Sequence, residues 1–117
     1  MTAGAELPVQ VVPVPGGCVV RLEGDVDVAV ASALESDIRR RVGAPDGVVL
    51  DLTAVSFLDS AGIRLVDSLV GHYERQGVTV RVVAPPGGSA RFALEISVFR
   101  PDLLADDVPP ALAALSP

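Results

Sequence analysis

Gly47-Val48-Val49-Leu50-Asp51-Leu52, followed after three residues by Ser56-Phe57-Leu58-Asp59-Ser60-Ala61-Gly62-Ile63, carries the pattern of a buried strand leading into a helix. Its first six residues are β-branched and apolar, the pattern of a short strand buried on both faces of a parallel sheet. Beyond it Ile63, Val66, Leu69, Val70 and Tyr73 recur at helical spacing and predict one buried stripe. The segment from Ser56 to Ile63 therefore joins strand to helix, with a serine where the chain turns. Asp59 and Ser60 both suit an N-cap, because a short side-chain oxygen accepts from the unpaired amides of the first turn. One would cap, leaving the other free. As a plain cap, Ser60 is worth about 1 kcal/mol of helix stability. As a phosphorylation site it would gain roughly −1.5 to −2 charges at a helix end whose amides and dipole receive anions. A partner facing that turn would then have to pair or desolvate the new charge.

Working outward, Val9 to Val12 reads as a strand, Pro13 to Gly17 as a turn and Cys18 to Glu23 as a second strand, antiparallel to the first. Asp27 is placed to cap a helix from Val28 to about Val42, with Leu34, Ile38 and Val42 on one face and Glu35/Arg39 and Asp37/Arg41 paired on the other. Gly43 to Gly47 ends it. Gly77 stops the central helix before a fourth strand to Val83, and Pro85 to Gly88 is a loop lacking the spacing of a phosphate-binding glycine motif. Ser89 is read as the cap of a helix with Phe92, Ile96 and Phe99 as its core stripe, closed by Pro101. Leu103-Leu104 predicts a brief last strand, and Asp106 or Asp107 precedes a terminal helix carrying Leu112 and Leu115. The order implies an α/β fold: a mixed, mainly parallel sheet of four to five strands with about four flanking helices.

At 117 residues the chain reads as one domain, 1–117, with an ordered core over about 9–115. The aromatics are only Phe57, Tyr73, Phe92 and Phe99, so the core is mainly aliphatic. A formal charge of −6 argues against nucleic acid or an anionic membrane surface as direct partner. Every basic side chain bar His72 is arginine. The absence of lysine removes a phosphate-loop nucleotide site and a receiver domain, which Asp25, Asp27, Asp51 and Asp59 would otherwise suggest. Those acids are read as caps and as flanks of the turn, with metal binding by Asp25 and Asp27 the lesser reading. Cys18, the only cysteine, lies in an apolar strand pattern as a small core residue. His72, the only histidine, falls on the polar helix face, and no Ser-His-Asp triad is suggested. Met1 to Pro8 carries no leader pattern and no apolar run is long enough to span a membrane, so a cytoplasmic protein is expected.

Val48 to Gly62 closely resembles the central motif of the STAS domain, in particular that of bacterial anti-sigma-factor antagonists. Arg21-Leu22-Glu23-Gly24-Asp25-Val26-Asp27 resembles the family's acidic element after the second strand, and Gly77 to Val83 its fourth strand. The likeness continues through Ser89 to Phe99. It implies that Ser60, the first serine after the motif aspartate, is phosphorylated by a partner that is both serine kinase and anti-sigma factor, and is reset by a phosphatase. Ala61 leaves no adjacent hydroxyl. The implied partner-binding residues are Asp25, Asp27, Asp59, Ser60, Ala61, Gly62 and Arg64. The last lies one turn beyond Ser60, within reach of a phosphate there, or else is a solvated arginine. With the kinase supplying nucleotide and magnesium, the chain needs no cofactor and is not an enzyme. The alternative is a constitutive STAS subunit of a transporter complex of the phospholipid ABC type, or of another regulatory complex, without a phosphorylation cycle. Two stretches depart from the family: Gly62-Ile63-Arg64, where Gly-Leu-Gly is frequent, and Ile96-Ser97-Val98-Phe99, which lacks a common glycine.

Overall fold

In a parallel sheet, period-two alternation sends successive side chains to opposite faces, and the central strand sorts the whole core. Here that strand places Val48, Leu50 and Leu52 on one side and Val49 and Asp51 on the other, all buried. The structure, a computed structural model, describes residues 7–115. The chain order is β1 (Val9–Val14), β2 (Gly17–Val26), α1 (Ala31–Val42), β3 (Gly47–Leu58), α2 (Ser60–Arg75), β4 (Thr79–Val83), α3 (Ser89–Ile96), a 3-10 turn (Pro101–Leu103), β5 (Leu104–Ala105) and α4 (Val108–Ala113). The five strands lie in sequence order; β1 and β2 are antiparallel and every later pair is parallel.

The larger core cluster joins Leu34 and Ile38 of α1, Leu69 and Tyr73 of α2, and Leu94 of α3 to Val20, Leu50 and Val82 of the sheet. Across the sheet, Val19, Val49 and Val83 pack with Ala111 of α4, and Leu112 and Leu115 seal that smaller cluster. Cys18 lies in the larger core, and burial pushes its thiol pKa up. At the foot of the sheet the backbones of β2 and β3 nearly touch. A Cβ on Gly17 would sit 2.0 Å from the Gly47 carbonyl oxygen, so no side chain fits there.

Several elements differ from the reading of the sequence. Strand β3 runs on to Leu58, because β2 also continues to Val26 and pairs with it through two register shifts; Ser56, Phe57 and Leu58 are strand residues, and Asp25 lies within β2. Helix α1 begins at Ala31 with no side-chain cap. Asp27 instead holds the preceding turn: its Oδ1 accepts from the Ala29 amide at 3.0 Å, and its carbonyl accepts from Val30 and Ala31. Helix α3 is capped by Gly88 without a side-chain bond, so Ser89 is its first residue and not its cap.

The largest correction concerns α3. Its buried residues are Ala90 and Leu94, whereas Phe92 and Ile96 are 66% and 64% exposed. Arg91 fixes this rotation by donating to the Ala84 carbonyl and to Asp106, each at 2.9 Å. Phe99 is buried as expected, but by another route, since the helix ends at Ile96. The Val98 amide donates to the Glu95 carbonyl and the Phe99 amide to that of Leu94, the paired bonds of a Schellman turn. Val98 takes the left-handed position at φ 57°, where glycine is usual and a β-branched residue is strained.

Candidate functional site

The first turn of α2 resolves which of the two candidate residues is the cap. Asp59 is extended, and its Oδ1 accepts from the Gly62 amide at 2.9 Å. Its Oδ2 accepts from the Val28 amide at 3.2 Å, tying α2 to the turn after β2. Both carboxylate oxygens are thus engaged in positioning backbone. Ser60 begins the helix, is exposed, and its hydroxyl has no hydrogen-bond partner among the described residues. Capping and exposure are divided between neighbours, so the Ser60 oxygen is open to chemistry that leaves the cap intact.

Gly62 sets how close that turn sits to the sheet. A Cβ there would lie 2.4 Å from the Val26 carbonyl oxygen, so the glycine allows α2 to start directly over the end of β2. It is buried. Ala61 is half-buried and Arg64 exposed. Both line a groove of about 530 Å³ between α1 and α2, together with Val28, Glu35, Asp67 and Ser68. Ser68 donates to Glu35 at 2.7 Å, and Arg39 donates to both of them. Arg64 follows Ser60 by one helical turn on the same face. Asp25 is exposed at the end of β2 and Asp27 half-buried in the next turn, which puts Asp25, Asp27, Asp59 and Ser60 together at the C-terminal ends of the paired strands β2 and β3. No group of three or more metal-ligating side chains gathers among the described residues.

On the other flank of the same turn lies a second groove, of about 430 Å³, which the sequence did not disclose. Phe57 and Leu58 of β3, Ile63 of α2, and Phe92, Ala93 and Ile96 of α3 form its walls, with only serines as polar lining. The one available signal was that Ala90 and Leu94 form an i, i+4 pair competing with Phe92 and Ile96, so a single stripe could not hold both.

His72 lies twelve residues beyond Ser60 on the same helix, about 18 Å at 1.5 Å per residue, which rules out a triad. Its ring meets that of Tyr73 edge to face at 4.9 Å, and burial together with Arg39 and Arg75 lowers its pKa. Tyr73 is buried with its hydroxyl unpaired among the described residues, and burial, then Cys18, push its pKa up to about 12. No described helix is long and apolar enough to cross a membrane.

The mixed five-stranded sheet, with a strand-to-helix turn at the C-terminal end of its central strand, defines an α/β class, and the chain belongs to the STAS domain family, whose model matches residues 8–103. It is 33% identical over 85 residues to the anti-sigma-F factor antagonist RsfB of Mycobacterium tuberculosis, covering 69% of this chain and 70% of that one. An anti-sigma factor antagonist from Mycobacterium paratuberculosis shares the fold at a TM-score of 0.76 and 31% identity, covering 92% of each chain. The Bacillus cell fate determinant SpoIIAA in its phosphorylated form shows the same fold at a TM-score of 0.70 and 20% identity, covering 92% of this chain and 99% of that one.

Proposed function

We propose that this protein is an anti-sigma-factor antagonist that works by partner switching. Unphosphorylated, it binds an anti-sigma factor serine kinase in the cytoplasm and releases the sigma factor that kinase holds. Transfer of the terminal phosphoryl group of the kinase's nucleoside triphosphate to the Ser60 oxygen, with the nucleoside diphosphate leaving and the hydroxyl proton passing to a base on the kinase, ends the complex; hydrolysis of the phosphoserine by a phosphatase resets it. The chain acts by binding and needs no cofactor of its own. The observation that carries this reading is the division of labour at the turn: Asp59 caps the helix with one oxygen and ties it to the Val28 amide with the other, while the Ser60 hydroxyl stands exposed with no partner among the described residues.

Electrostatics supports the direction of the switch. A phosphate on Ser60 sits at the positive end of α2, so the fold tolerates it. Asp25, Asp27 and Asp59 already make this edge acidic, and roughly two more negative charges would have to be desolvated or paired by any surface pressed against it. Arg64, one turn on, is the nearest basic group along the helix and lines the adjoining groove.

The test is affinity purification from the source cells with Ser60→Ala and Ser60→Asp baits. The alanine bait is expected to recover a kinase-type anti-sigma factor that the aspartate bait does not. Equal recovery by both would defeat the switch, and recovery of transporter subunits by both would replace it with a constitutive role.

A further inference from the structure

Exposed large apolar side chains are unevenly distributed over this molecule. Among the described residues they are Val12, Val28, Phe57, Phe92, Ile96 and Val98, and three of the six line the groove between β3, α2 and α3. Two of the chain's four aromatics are therefore held at the surface facing one cleft. Scattered exposed apolar residues are ordinary, but a contiguous set with paired aromatics is the composition of an interface anchor. The set is also held in place, since Arg91 fixes the rotation of α3 that exposes it. Val98, 87% exposed, follows directly after the Ser97 at the groove's edge.

We infer that this groove is the apolar anchor of the contact with the anti-sigma factor, taking aliphatic or aromatic side chains from the same partner that reads Ser60. The inference rests on the proposed function and adds to it the place where affinity resides. Continuity decides the occupant. Phe57 and Leu58 end the strand that delivers Asp59 and Ser60, and Ile63 lies one helical turn past Ser60, so a partner seated on the turn overlaps the groove. The two flanks of the turn are chemically opposite: the α1–α2 groove carries Glu35, Arg64 and Asp67, whereas the second groove has no charged lining at all. A partner that fits both presents polar groups to one and apolar side chains to the other. Placing the anchor beside the acceptor serine also makes the switch efficient, because a charge added at its rim opposes the desolvation that apolar docking requires.

The experiment places the photo-crosslinking residue p-benzoylphenylalanine in the full chain at position 92, 61 or 12 in the source cells, with adducts identified by mass spectrometry. Positions 92 and 61 are expected to label the same kinase-type anti-sigma factor, and position 12, an exposed apolar site on β1, to leave it unlabelled. With that factor purified, Phe92→Ser and Ile96→Ser are each expected to weaken binding about tenfold or more, at unchanged melting temperature. Labelling from 61 but not 92, or full affinity in both serine variants, overturns the groove and leaves the Ser60 switch standing. Labelling from 92 of only a second copy of this chain, or of a lipid or metabolite, overturns it in favour of that occupant. If Ser60→Asp binds as tightly as the parent while Phe92→Ser does not, the switch falls and the groove remains. If position 61 labels no anti-sigma factor, both fall.

Discussion

Helices α2 and α3 lie against the same face of the sheet and both read as amphipathic, yet they dispose of their apolar residues differently. Helix α2 buries Leu65, Val66, Leu69, Val70 and Tyr73 beneath it, while α3 buries Ala90 and Leu94 and leaves Phe92 and Ile96 facing out. Periodicity specifies that a helix has an apolar stripe; it does not specify whether the sheet or another molecule covers it. On α2 the stripe from Leu65 to Tyr73 is consumed by the fold, and only Ile63 at its start reaches the groove. On α3 the fold takes Ala90 and Leu94 and presents Phe92 and Ile96.

Substitutions sharpen that contrast. Leu69→Ala is expected to destabilise the protein by about 3 kcal/mol, as for other fully buried leucines, whereas Phe92→Ala changes stability by less than about 0.5 kcal/mol because it empties no core. Urea unfolding of the two variants measures this directly, and comparable losses would mean that α3 is packed like α2. At the start of α2, Asp59→Ala should cost about 1 kcal/mol through the lost cap, while Ser60→Ala lowers the thermal midpoint by little or nothing. A reversed pair would return the cap to the serine. At the end of α3, Val98→Gly is expected to stabilise by about 0.5 to 1 kcal/mol, since relief of the left-handed strain outweighs the added freedom of the unfolded chain. A loss of stability there would show that the exposed valine contributes to packing that its 87% exposure denies.

Much of this was legible beforehand because it depends on local pattern. The buried run Val48 to Leu52, the stripe of α2, the acid before the last helix and the resemblance of Val48–Gly62 to a known family each rest on neighbouring residues. What was not legible depends on partners distant in sequence. The extension of β3 to Leu58 needs β2 to continue alongside it through two irregularities of register, and Thr53 and Ser56 look like the end of a strand when that neighbour is unseen. The delayed start of α1 needs Asp27 to close a turn rather than a helix. The face that α3 presents is set by Arg91 reaching the Ala84 carbonyl, and Phe99 enters the core by a reversal rather than along the stripe. At the site, the sequence narrowed the cap to two residues; the bond from the Gly62 amide identifies Asp59 as the cap, and its second oxygen accepts from the Val28 amide, in a turn thirty-one positions earlier that local pattern does not reveal.

Tyr73, buried and with its hydroxyl unpaired among the described residues, gives the protein a simple optical signature. It is the only tyrosine, and the chain has no tryptophan. Tyrosine emission therefore arises from a single point beneath α2, in the same helix that begins with Ser60, and reports on that core alone. Excited at wavelengths that only indole absorbs, the protein is dark, so a tryptophan in any bound partner can be followed against no background from this chain.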